Sequence, residues 1–225
     1  RVELLGQLTP LDSLTFSATF GFGKDDFKEV GFGITNDENW SAAGDIVYMP
    51  IPRLALFANY TREEFNSKML SRQRSATEPT GDRPANDWAS DMKDIVDTVG
   101  AGVDLELIPK RLDLKLAYSY STATGKVKAR PLGTPTVSGF TAEDYPDTKS
   151  RLHRLEAALR YHLAANFSAK FSYIYERYLE EDFATDVMQP YMVGVDSGAS
   201  RSIFLGATQP NYEAHFVGLS VRYRF

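Results

Sequence analysis

Apolar and polar residues alternate with a period of two through most of the chain. Near its end, Val217, Leu219, Val221, Tyr223 and Phe225 alternate with Gly218, Ser220, Arg222 and Arg224. A period of two places the two sets on opposite faces of an extended strand. The same pattern runs through Leu14–Gly23, Trp40–Tyr48, Leu54–Thr61, Thr98–Leu107, Leu112–Ser121, Arg154–Leu163 and Phe167–Glu176. It predicts eight strands, several of them nine to eleven residues or longer. Strands of a soluble sandwich run about five or six residues, whereas crossing lipid takes roughly 9–11.

The connections are asymmetric. Met49–Arg53, Ile108–Arg111 and Ala164–Asn166 read as short turns, while Lys24–Asn39, Glu64–Asp94, Thr122–Ser150 and Leu179–Asn211 read as long polar loops. Short and long alternate strictly, as periplasmic turns and extracellular loops do in outer-membrane barrels. Outward Trp40, Tyr48, Tyr60, Tyr120, Tyr161, Tyr175 and Tyr223 fall near the predicted strand ends, where interfacial girdles belong. The expected fold is all-β: an antiparallel transmembrane β-barrel, with residues 1–225 forming one barrel domain or barrel segment in the bacterial outer membrane.

Bulk composition alone would suggest an ordinary soluble chain. The 225 residues are 43% hydrophobic and carry 25 Lys+Arg against 30 Asp+Glu, for a net charge of −5. No apolar run approaches the ~18 residues of a spanning helix. The spread negative charge argues against a nucleic-acid partner. There is no cysteine, which rules out disulfides, thiolate metal sites and covalent c-type haem in this chain. No signal-peptide pattern stands at Arg1, and Arg1–Leu5 reads as the bottom of a descending strand leading into a turn at Gln7–Asp12. Both fit the C-terminal part of a larger barrel.

The polar face would then line the lumen. Much of it is Gly, Ala, Ser or Thr, with Lys115, Arg154, Arg160, Lys170, Arg222 and Arg224 set among Asp104, Glu106, Asp113, Glu156 and Glu176. Small residues fill a narrow eight-strand interior poorly and suit a wider lumen holding water or protein. Alternatively, the charges pair across strands and plug a small barrel. His153, His162 and His215 lack the partners of a metal or haem site, and no Gly-x-Ser-x-Gly elbow appears. Catalytic, cofactor and metal residues are therefore not expected. The acidic groups Asp25/Asp26/Glu29, Glu143/Asp144/Asp147 and Glu180/Glu181/Asp182 could hold Ca²⁺, or form solvated loop surface contacting lipopolysaccharide.

Several stretches carry a family resemblance. Phe204–Tyr212, His215 and Val217–Phe225 resemble the C-terminus of the MtrB/PioB family. Tyr173–Tyr178 with Asp182 is similar to that family's penultimate strand, and Leu8–Phe16 to one of its turns. The resemblance covers the whole chain, which would match about the last third of these longer barrels. It implies a non-catalytic, porin-like sheath holding a periplasmic multihaem cytochrome across the outer membrane for extracellular electron transfer. A second multihaem cytochrome would dock outside, and all haem would belong to the partners. Val221, Tyr223 and Phe225 would form the C-terminal signal read by the barrel-insertion machinery. The alternatives are a small closed barrel serving as passive pore or anchor, and a fragment of a different large transporter.

Overall fold

The computed structural model describes residues 1–73, 83–134, 142–183, 191–193, 202–204 and 211–225. Its main body is one antiparallel sheet of nine strands. These are β1 (Val2–Leu11), β2 (Leu14–Asp26), β3 (Gly33–Ile51), β4 (Leu54–Arg72), β5 (Asp87–Ile108), β6 (Leu112–Pro131), β7 (Thr148–Ala164), β8 (Phe167–Glu181) and β11 (Tyr212–Tyr223). They neighbour one another in chain order, with β11 beside β8. Two short strands, β9 (Tyr191–Val193) and β10 (Ser202–Phe204), pair only with each other.

All eight predicted strands are present, and β1 makes a ninth. The Gln7–Asp12 stretch that read as a turn is strand as far as Leu11: its alternation is diluted by Gly6, Gln7, Thr9 and Pro10, yet β1 pairs with β2 from Val2↔Phe22 to Leu11↔Leu14. The turns on one side are short: two residues follow β1, β3 and β7, and three follow β5. In the last of these, Lys110 takes a left-handed backbone (φ 59°), and its N–H donates to the Glu106 carboxylate.

The strands are longer than the alternation indicated. β5 has 22 residues, β6 has 20, and β3 and β4 have 19 each. Much of what reads as long loop is strand. Beyond Tyr60 the outward face of β4 turns polar (Arg62, Glu64), so hydrophobic alternation ends although pairing with β5 continues to Arg72↔Asp87. Ion pairs take over there: Lys93–Glu64 at 2.6 Å, Arg130–Asp91 at 2.8 Å, Arg151–Glu181 at 2.7 Å, and Arg72–Asp87. The Arg72 guanidinium holds the Asp87 carboxyl below its ordinary range, and the Lys93 ammonium does the same for Glu64.

One face is a continuous apolar surface. A single register row runs Leu54, Leu105, Leu114, Leu159, Phe171 and Leu219 across six strands. This face is not folded into a core, since Ala89 and Ala129 are the only buried apolar residues among those described. Leu4, Val217 and Leu219 stand 62%, 69% and 78% exposed. Along β3, β7 and β11, eight residues separate Tyr48 from Trp40, Tyr161 from His153 and Tyr223 from His215. That is about 27 Å of strand, which at a barrel tilt of about 40° gives a belt roughly 21 Å tall, close to the apolar band of outer-membrane barrels. The girdle at the loop side therefore lies in mid-strand, not near the strand ends as the alternation alone implied.

Glycines give the sense of curvature. On the opposite, polar face a Cβ at Gly102 would press into the Phe57 ring and lie 2.5 Å from the Leu116 carbonyl oxygen, and one at Gly100 would lie 2.6 Å from Asn59 Oδ1. On the apolar face, a Cβ at Gly44 would meet nothing within 4 Å. Crowding on the polar side and openness on the apolar side mark the polar face as the inside of the curve. Gly102→Val is expected to destabilise the folded barrel by about 1–3 kcal/mol, read as early loss of the heat-modifiable gel form. Gly44→Val should leave that form unchanged, and equal effects would contradict the curvature.

Candidate functional site

Side-chain parity fixes which residues reach the inner wall. On the side formed by β2 to β5 that wall is built mostly of small residues, among them Ser17, Thr19, Gly21, Ser41, Ala43, Thr98, Gly100 and Gly102, with carboxylates at Asp25, Asp37, Asp45, Glu63 and Asp94. It is tied locally by the Thr98 hydroxyl, 2.9 Å from that of Ser121. From β6 onward it carries cations as well.

Towards the short turns, Arg53 lies 4.0 Å from Glu106, and Lys115 lies 3.9 Å from Asp104. His162 Nε2 is 2.9 Å from Asp113 Oδ2. Higher on the wall, Arg154 bridges Glu156 at 2.8 Å and Glu176 at 3.2 Å, and Glu176 also accepts the Tyr212 hydroxyl. All ten lumen candidates from the sequence lie on this one face: Asp104, Glu106, Lys115, Arg154, Glu156, Arg160, Lys170, Glu176, Arg222 and Arg224.

They do not all pair. Arg160 and Lys170 stand directly opposite each other across β7 and β8, an arrangement that repels. With Arg222 and Arg224 they line one hollow near the Ala164–Phe167 turn, together with His162, Ser168 and Ser220. Among the described residues no carboxylate reaches any of these four cations. Asp113 stands opposite Arg160 across β6 and β7, but its carboxylate is engaged by His162, and the excess positive charge on this concave wall attracts an anionic surface. Sequence reasoning missed Arg53, which sits in a turn, and Tyr212, whose role depends on the β8–β11 register.

Among the described residues the geometry offers no catalytic constellation. His153 and His215 lie on the outward face, where each accepts or donates a 2.8 Å hydrogen bond with a tyrosine hydroxyl (Tyr118 and Tyr173). Among the described residues no cluster of three His, Cys, Asp or Glu side chains could hold a metal. The acidic loop residues are engaged singly: Asp26 with Asn36, Asp144 with the Ala129 N–H, Asp147 with Lys126 and Glu181 with Arg151.

An open, curved, antiparallel arc with its apolar face outside agrees with known proteins. All of residues 1–225 match the family described as "outer membrane beta-barrel porin, MtrB/PioB". The chain belongs to the MtrB/PioB family. It is 25% identical to the outer membrane protein MtrB of Shewanella baltica (strain OS185) over all 225 residues, and spans 29% of that relative's length. In fold it resembles the copper transporter OprC (TM-score 0.64, 11% identity, 98% of this chain and 33% of that one). It also resembles the ferric citrate transporter FecA in its unliganded form (TM-score 0.60, 13% identity, 99% and 33%). An MtrB/PioB chain is an outer-membrane barrel protein, so the exposed apolar face is the one that meets lipid, and the charged wall lies on the opposite, concave face.

That placement yields a direct check. In the assembled barrel, cysteines replacing Arg222 and Arg224 are expected to react with a water-soluble thiol reagent, and cysteines replacing Val221 and Tyr223 to resist it. The reverse labelling would overturn the register.

Proposed function

We propose that the chain is part of the wall of a wide outer-membrane barrel that sheathes a periplasmic multihaem c-type cytochrome for extracellular electron transfer. The observation that carries this reading is an arc of nine strands whose inner face is not filled by its own side chains. Among the described residues β1 pairs only with β2, and β11 only with β8. Unpaired strand edges leave peptide groups without partners, each costing several kcal/mol in hydrocarbon, and in a relative more than three times as long further strands are at hand to complete the wall. The resulting lumen is wider than nine strands could enclose. This argues against the small closed barrel as a passive pore or anchor.

The wall performs no chemistry in this reading. Its tasks are to face lipid, to keep lipid and water from the haem chain, and to hold the partner in register. The small side chains on β2 to β5 let a folded protein approach the backbone closely. The cations Arg160, Lys170, Arg222 and Arg224, near the periplasmic mouth, provide an electrostatic grip on an acidic partner surface. The haem belongs to that partner, since this chain has no cysteine to attach one. A second, extracellular multihaem cytochrome would rest on the long connections. Val221 and Tyr223 sit on the lipid face opposite Ala169 and Phe167, and Phe225 packs edge-on against Tyr223 at 5.1 Å. This exposed aromatic end suits the insertion machinery.

The test is co-purification from native outer membrane with haem staining of what is retained. Replacing Arg160, Lys170, Arg222 and Arg224 together by Glu is expected to cut retained haem at least about tenfold, which corresponds to 1.4 kcal/mol, with barrel levels unchanged. Undiminished haem in the variant, or none with the native barrel, would contradict the proposal. So would an unblocked, steady conductance of the native complex in planar bilayers.

A further inference from the structure

Above the loop-side girdle the outward face of β5, β6 and β7 carries more basic than acidic side chains. Lys93 on β5 stands directly opposite Lys126 on β6. Lys128 follows two residues on, facing the same way. On β7, Lys149 lies opposite Thr124, diagonal to Lys126, and Arg151 lies opposite Thr122. Lys126, Lys128, Lys149 and Arg151 are exposed, and Lys93 is half-buried. Glu64 holds Lys93 at 2.6 Å, Asp147 reaches Lys126 at 3.5 Å and Glu181 holds Arg151 at 2.7 Å. Asp91, opposite Lys128, is taken by Arg130 at 2.8 Å. Among the described residues, Lys128 and Lys149 have no carboxylate partner.

Lys93 and Lys126 are compensated by these carboxylates, but Lys128 and Lys149 leave an excess of positive charge on this face that attracts an anion. These residues face away from the lumen, so a cytochrome inside the barrel cannot be that anion. They stand where the outer leaflet's headgroups lie. Depth identifies the lipid. Arg151 is two residues past His153 in the girdle, and Lys126 is six past Tyr120. At about 3.4 Å per residue and a tilt of about 40°, the patch reaches from roughly 5 Å to 15 Å or more above the apolar belt. The polar zone of an ordinary phospholipid leaflet is only about 5–8 Å deep. A lipid whose negative charge continues upward through phosphorylated sugars fits the whole span.

We propose that this collar on β5, β6 and β7 binds the phosphorylated saccharide of outer-leaflet lipopolysaccharide. Lys126 and Lys128 lie at the centre, and Arg151 engages the phosphates nearest the acyl chains. Basic side chains grip phosphate with charge-assisted hydrogen bonds, which here would give Lys128 and Lys149 the anionic partners they lack. Binding there ties the barrel to the outer leaflet and fixes its height. The inference rests on the outer-membrane reading but not on the identity of the lumen partner.

The experiment uses the intact barrel, isolated from native membrane and exchanged into phosphatidylcholine nanodiscs. It is titrated with lipopolysaccharide, with enzymatically dephosphorylated lipopolysaccharide and with phosphatidylglycerol. The native barrel is expected to bind phosphorylated lipopolysaccharide at least tenfold more tightly than either other lipid. Lys126→Glu/Lys128→Glu/Lys149→Glu should remove that preference, and Lys126→Arg/Lys128→Arg/Lys149→Arg should keep it. Equal binding of the dephosphorylated lipid or of phosphatidylglycerol by the native barrel would overturn the proposal without any variant. An unchanged preference in the Glu variant would do the same. Membrane fractionation of the native protein separates this failure from that of its premise: a barrel in the outer membrane with no preference sinks only the collar, whereas absence from that membrane sinks the premise.

Discussion

Every backbone amide in this molecule that enters hydrocarbon must find its partner on a neighbouring strand, because lipid supplies none. The rest of the architecture follows from that constraint. An unbroken antiparallel ladder satisfies it, and a ladder turns alternate side chains to opposite faces. One face can therefore be apolar through to the Leu54–Leu219 row while the other stays polar. A soluble domain of this size would gather those leucines into a core. Here they remain exposed, and only two alanines among the described apolar residues are buried. Curvature then does the work of a core: side chains crowd on the inside, at Gly100 and Gly102, and spread on the outside, at Gly44.

The ladder does not stop where the lipid does. β4, β5 and β6 continue well past the girdle, and their outward side chains change from tyrosine and valine to Arg62, Asp97, Lys93 and Lys126. Tyr60 marks the change, with its hydroxyl donating to Asp97 at 2.5 Å and Arg62 bridging the same carboxylate at 3.1 Å. One scaffold thus carries three chemically distinct surfaces: an apolar belt, an inner wall with cations near the short turns, and an outer basic collar near the long loops. Parity separates lumen from outside, and position along the strand separates lipid from water.

What could be read from the sequence follows the same logic. Alternation in Leu112–Ser121 or Val217–Phe225 sets parity, and parity puts all ten lumen candidates on one face without knowledge of any partner. Alternation is silent wherever both faces are polar, so the upper halves of β4 to β6 read as loop. It is also weakened by small residues: Gly6, Thr9 and Pro10 made the second half of β1 read as a turn although it continues as strand to Leu11. Pairing is a property of register rather than of composition. That Arg154 reaches Glu176, while Arg160 meets Lys170, depends on which residues face each other across β7 and β8.

The central claim is that one face meets hydrocarbon and the other an enclosed space. Fluorescence quenching tests it most directly, using assembled barrels that lack Trp40 and Trp88 and carry one tryptophan at Leu116 or at Ala117, in bilayers of lipid brominated along its chains. The account predicts strong quenching at 116 and little at 117. Equal quenching at the two positions, or quenching at 117 alone, would contradict it.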